Sequence, residues 1–289
     1  MFKHITFTLA AFALLASCSV KDDRLDCFSP VTVRLGGFTV SQEDFPDTRA
    51  AASDYNGVKV LTLAFYDGDT PVFQATQRKD DPTTFTTFGE FSTSLPLGSY
   101  TMVALGYVLY DDDELTLTSP TQAEYTGGYI RETFAATQSV NVTSTEAVEL
   151  TATLNRIIAC LQVISTDGKT ANVSKVRMTF SDGGKRFSPT TGLATLNTGS
   201  ESVVGVSAEV GNSSTSTGFV FLTSDEQTMD VTIETLDENG DTIYSETVTD
   251  VPLKRNRRTK LSGALYSASA SAGSFQLNTE WVADYSRSF

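Results

Sequence analysis

"DVTIETLDENGDTIYSETV", residues 230–248, is built as two halves around a break. On each side Val, Ile, Thr and Tyr recur near alternate positions, the period of a strand that lays one face against a core. Between them stands Asp237-Glu238-Asn239-Gly240. Asn-Gly accepts the positive φ angles of a type I′ turn, so the stretch predicts an antiparallel hairpin. The same texture continues outward. It is present in "VTVRLGGFTV" (31–40), "VKVLTLAFYD" (58–67), "FTTFGEFSTSL" (85–95) and "SYTMVALGYV" (99–108). It resumes in "VELTATL" (148–154), "IIACLQVIS" (157–165), "KVRMTFSD" (175–182) and "GFVFLTS" (218–224). No helical stripe of useful length interrupts it. The expected fold class is all-β, two tandem antiparallel β-sandwiches at residues 31–144 and 145–289, divided near a Thr/Ser/Asn stretch around 137–146.

The first thirty residues describe a route rather than a fold. Lys3 and His4 precede an almost wholly apolar run, Ile5 to Ala16, which ends at Ala16, Ser17 and Cys18. That is the pattern of a secretion signal at residues 1–17, too short for a bilayer span of about 20 residues. Leu15-Ala16-Ser17-Cys18 resembles the bacterial lipobox, in which the Cys thiol is acylated and the signal is removed just before it. Cys18 is then the expected lipid attachment to the outer membrane, and residues 18–30 the lipidated linker. Lys21-Asp22-Asp23 is similar to the short signal that carries Bacteroidetes lipoproteins to the outer face of that membrane, and it also suits a solvated tether.

Without residues 1–17 the chain has 20 basic against 35 acidic residues, a charge of −15, and no histidine. Ser-His-Asp and Cys-His catalysis, His-ligated zinc and His proton shuttling are therefore excluded. The acidity opposes nucleic-acid binding, since a phosphate backbone would be repelled. About 270 mature positions, with 40% hydrophobic residues in the chain, suffice for two cores. Cys160, inside "IIACLQVI", reads as a small buried hydrophobe, and whether it pairs with Cys27 stays open.

Other runs carry weaker chemical readings. Asp111-Asp112-Asp113-Glu114 lacks the alternating ligands and glycine of a calcium loop and predicts a solvated turn. "LKRNRRTK" (253–260) offers five cations for phosphates or an acidic neighbouring subunit, or else a charged edge that discourages unwanted pairing. Glu124 and Glu132 give no support to a hydrolase, because their spacing in space is not readable. No enzyme activity, metal or cofactor is expected.

"VKVLTLAFYDGD", "LPLGSYTMVALGY", "LNRIIACLQV" and "VPLKRNRRTKLSGALYSASASAGSFQLNTEW" resemble successive blocks of the Bacteroidetes fimbrillin superfamily, the lipoprotein subunits and anchors of type V pili. Leu95, Pro96, Gly98, Tyr100, Asn155, Arg156, Arg257, Thr259, Gly263, Leu265 and Trp281 occupy the matching positions. The resemblance implies sandwiches of the transthyretin or immunoglobulin kind and a fimbrial structural role supporting adhesion. It implies partners among other fimbrial subunits and a receptor on a host or bacterial surface. In polymerising members a protease cuts after an Arg, removing the first strand so that a strand of the next subunit can replace it. Arg49-Ala50, in "FPDTRAAASDY", is the candidate site here, and an exposed loop arginine is the plainer reading. Phe275, Leu277, Trp281 and Val282, near the chain end, are the candidate donor strand. Stalk, anchor and tip positions all remain open. A glycan-binding surface lipoprotein is the alternative, opposed by a single Trp, Trp281, where sugar-stacking platforms use exposed aromatic rings.

Overall fold

The computed structural model describes residues 28–39, 57–109, 114–127, 129–267 and 276–278. Nine strands come first: β1 (Phe28–Thr39), β2 (Val60–Asp67), β3 (Thr70–Arg78), β4 (Glu90–Pro96), β5 (Gly98–Tyr107), β6 (Leu115–Ser119), β7 (Gln122–Tyr125), β8 (Thr133–Val142) and β9 (Val148–Arg156). Ten follow: β10 (Ala159–Ser165), β11 (Lys175–Phe180), β12 (Arg186–Ser188), β13 (Leu193–Ala194), β14 (Ser200–Gly205), β15 (Thr215–Val220), β16 (Glu226–Leu236), β17 (Thr242–Lys254), β18 (Arg258–Gly263) and β19 (Gln276–Asn278). One 3-10 turn, Pro82–Thr84, is the helical element among the described residues. The all-β sandwich expectation holds.

Seven strands of the first half form one sheet in the order β3-β2-β5-β8-β9-β1-β4. It folds over on itself. Leu61, Leu63 and Phe65 of β2 and Met102 of β5 share a core with Val31 and Val33 of β1, Phe91 of β4 and Leu154 of β9. The fold line lies between β8 and β9, which pair only at Phe134↔Arg156 and Ala135↔Asn155. In the second half two four-stranded sheets, β15-β10-β18-β19 and β14-β11-β16-β17, enclose a core that includes Leu161, Val163, Met178, Val231, Ile233 and Leu261.

Two features depart from a pair of purely antiparallel sandwiches. β1 runs parallel to β9, and β10 parallel to β18, so each half sets its first long strand beside its last. Parallel partners need a long connection, which here is the rest of the half-domain itself. The second departure is a shared sheet, β13-β12-β7-β6, to which both halves contribute two strands. A third core lies there, where Tyr66, Leu105, Tyr107 and Tyr125 meet Ile158, Phe187 and Phe221.

The expected division near residue 145 falls ahead of β9, which the structure pairs with β1; the change of sheet comes at Ile157 and Ile158. The polar stretch around 137–146 is largely β8, which pairs with β5 from Gly98↔Val142 to Tyr107↔Thr133. Its Val140 and Val142 alternate inward while Ser139 and Asn141 face solvent, so the polar residues mark one face rather than a linker.

The hairpin at 237–241 forms, with a different turn. Leu236 pairs with Thr242, leaving a five-residue loop in which only Gly240 takes a positive φ, 91°. Asp237 explains the difference. Its carboxylate accepts the backbone N–H groups of Asn239 and Asp241, both at 2.9 Å, an Asx-type closure that replaces the two-residue turn.

Candidate functional site

β1 is first in the described chain and interior in its sheet. It lies antiparallel to β4, from Phe28↔Pro96 to Arg34↔Glu90, and parallel to β9, from Val31↔Val148 onward. Val31, Val33 and Leu35 point inward and are buried. The hydroxyl of Ser29, also buried, donates to the carbonyl of Glu146. Outside, Arg34 reaches Glu90 at 3.4 Å and Glu149 at 3.2 Å; exposed pairs of this kind contribute about 0–1 kcal/mol each. β1 is thus held by two backbone ladders and a row of alternate apolar side chains. Those are the contacts by which an extended segment binds a sheet from which a strand is missing.

Of the residues expected to process and fill such a groove, Leu277 alone is among the described residues. Cys18, Arg49 and Ala50 lie outside the described residues, as do Phe275, Trp281 and Val282. Leu277 lies in β19, three residues long, where it pairs with Leu261 at the outer edge of the β18 sheet. Asp111, Asp112 and Asp113 are also outside the described residues, and Glu114 is 3.6 Å from Arg78.

The motif residues have structural employment. Tyr100 folds back over Gly98 and donates from its hydroxyl to the carbonyl of Pro96 at 2.9 Å. A Cβ on Gly98 would stand 3.0 Å from that hydroxyl, which accounts for the glycine two places before the tyrosine. Burial, then the charge of Asp67, pushes the Tyr100 phenol up from its ordinary pKa. Arg156 sits where the halves join, 2.5 Å from Glu132 and 3.3 Å from the side chain of Asn256, with its guanidinium over the ring of Phe134. Glu124 is likewise taken up, at 2.8 Å from Arg186 across the shared sheet. Both carboxylates are therefore arginine partners.

In the basic run Lys254 pairs with Glu226, and Arg255 pairs with Asp225 at 2.6 Å and with the carbonyl of Thr191. Thr259 donates to the carbonyl of Pro252 at 2.6 Å. Cys160 is buried and free, its thiol pushed up by burial, in keeping with a packing role. Two residues without any motif complete the picture. Asp167 accepts the backbone N–H groups of Leu265, Tyr266 and Ser267 at 2.7–2.8 Å. Gln77 reaches from β3 to the backbone at the start of β4. A lone Asp or Gln gives no sequence signal for either task.

The class so defined is a tandem β-sandwich protein. The chain belongs to a family of unknown function, DUF6562, whose model matches residues 30–287. Among solved structures it is similar to a candidate adhesin from Bacteroides ovatus, with 12% identity, 88% of this chain and 96% of that one covered, and a TM-score of 0.51. It is also similar to a candidate polysaccharide-binding protein from Bacteroides thetaiotaomicron, with 11% identity, coverage of 83% and 92%, and a TM-score of 0.50. A third is the fimbrial anchor protein Mfa2 from Porphyromonas gingivalis, at 12% identity, coverage of 87% and 95%, and a TM-score of 0.48. Among curated proteins none matches. At 11% and 12% identity, the first two likenesses show a shared fold alone.

Proposed function

We propose that this protein is a structural subunit of a surface fimbrium, exported as a lipoprotein acylated at Cys18. It joins its neighbours by β-strand addition into the position that β1 occupies, and so supports cell adhesion. The observation that carries the reading is the place of β1: an interior strand, first in order, followed by a segment containing Arg49-Ala50. Cutting there would leave the inward sites of Val31, Val33 and Leu35 vacant and the backbone of β4 without its ladder. The likeness to a candidate adhesin agrees with this role. Phe275, Leu277, Trp281 and Val282 belong to the segment proposed to be lent.

The glycan-binding reading draws on the candidate polysaccharide-binding neighbour. Against it, among the described aromatic side chains only Phe28 is exposed, at 50%, the others being buried or partly buried, so no stacking platform is visible in the described part.

The mature N-terminus of the protein on cells, read together with gel laddering after mild heating, tests the proposal. Acylated Cys18 indicates an anchor or an unprocessed precursor, and Ala50 a stalk or tip subunit. With Arg49→Ala, export should persist while ladders vanish. Wild-type protein that never ladders, in homogeneous or mixed assemblies, overturns the fimbrial role.

A further inference from the structure

The groove has two walls, and they are secured unequally. β9 keeps its pairs with β8 at Phe134↔Arg156 and Ala135↔Asn155, and Arg156 ties its end to Glu132 and Asn256. β4 is an edge strand whose one ladder partner is β1. If β1 leaves, every strand-to-strand backbone bond of β4 leaves with it.

Among the described residues, two side chains from other strands still bond to the backbone of β4, one at each end. At the start, Gln77 of β3 donates from Nε2 to the carbonyl of Glu90 at 2.7 Å, and its Oε1 accepts the N–H of the preceding Gly89 at 2.7 Å. Gln77 is 4% exposed, so its amide is matched on both sides where a buried polar group left unmatched would be costly. At the far end, Tyr100 of β5 donates to the carbonyl of Pro96 at 2.9 Å. Both brackets spring from the layer opposite β1, and neither involves it.

We infer that Gln77 and Tyr100 are positioning residues that hold β4 at strand spacing while the groove is empty, so that the incoming strand meets a formed wall. The inference rests on the strand-addition reading. Its physical content is preorganisation: a wall that collapsed inward over the vacated core would have to be ordered again at each joining step. A purely structural pair would affect the folded precursor and the processed subunit alike. A groove bracket matters most once β1 is gone, because the β1–β4 ladder holds β4 until then.

The test compares Gln77→Leu and Tyr100→Phe with Thr259→Val, which removes one side-chain-to-backbone bond in the second half. The full chain is expressed in its cell of origin, and precursor melting temperature and the yield of ladders from processed subunit are both measured. At matched precursor stability, Gln77→Leu and Tyr100→Phe should lower ladder yield about fivefold or more relative to Thr259→Val, the equilibrium effect of one hydrogen bond. Equal yields from all three variants, or losses that simply follow melting temperature, overturn the bracket while leaving strand addition intact. Wild-type protein that forms no ladders overturns the strand-addition reading, and the bracket with it.

Discussion

At Arg156 a side chain only 3% exposed is shared among Glu132, Asn256 and the ring of Phe134. Breaking a buried ion pair from one side costs about 3–5 kcal/mol, whereas replacing both partners with apolar groups is often close to neutral. Arg156→Met should therefore lower unfolding free energy by about 3 kcal/mol in urea titrations, and adding Glu132→Met should recover much of it. Asp167 offers a pH-dependent counterpart. Burial would raise its pKa, but the backbone N–H groups of Leu265, Tyr266 and Ser267 prevail and hold it below the ordinary carboxylate value. A depressed folded-state pKa gives stability that is present above the unfolded value and lost as pH falls through the folded one. Asp167→Asn should cost about 1–2 kcal/mol near neutral pH and show a shallower loss of stability below pH 4 than wild type. Equal acid sensitivity of the two proteins would remove Asp167 from that role.

Among elements, the 237–241 hairpin distinguishes what a sequence motif specifies from what the chain does with it. A type I′ turn would need positive φ at both Asn239 and Gly240; here Gly240 alone takes it, with open space around it. Gly240→Ala should cost about 1 kcal/mol from backbone strain, and Asn239→Ala only a few tenths, in thermal unfolding. Comparable costs at both positions would instead indicate the two-residue turn. The same contrast explains which strands were legible. β2 and β5 announce themselves because both faces are apolar: Leu61, Leu63 and Phe65 enter the first core while Val60, Ala64 and Tyr66 enter the shared one. β3, "TPVFQATQR", carries Pro71 and five polar residues because it is an edge strand, and β6, β7, β12 and β13 are too short to show a period. Parallel placement of β1 beside β9 leaves no local trace, since it is decided by partners more than a hundred residues apart. For the groove, Arg49-Ala50 and the Leu-Pro-x-Gly-x-Tyr block could be read as patterns, while Gln77 acquires meaning only from the backbone opposite it.

At the scale of the molecule, the shared sheet and its core bear on whether the halves are separate folding units. The faces of β2 and β5 that carry Val60, Tyr66, Val103, Leu105 and Tyr107 are covered jointly, by Leu115, Leu117, Ala123, Tyr125 and Ile130 of the first half and by Ile157, Ile158, Phe187 and Phe221 of the following chain. Fully burying one large apolar side chain contributes about 1.5–3 kcal/mol, so uncovering several of these side chains forfeits an amount comparable to a domain's usual margin of about 5–15 kcal/mol. Residues 28–144 expressed alone would also lack β9 with its Ala152 and Leu154, and should aggregate or remain unfolded. Phe221 probes the coupling in the intact chain, because its ring stacks on Phe187 at 4.1 Å and lies 6.3 Å from Tyr125 of the first half. Phe221→Ala should cost about 3–5 kcal/mol. If the halves unfold as one body, amide exchange in β5 and in β16 should accelerate together, although Phe221 belongs to neither strand. Acceleration confined to the second half would show two independent sandwiches that merely touch, and a first half able to fold alone would show the same.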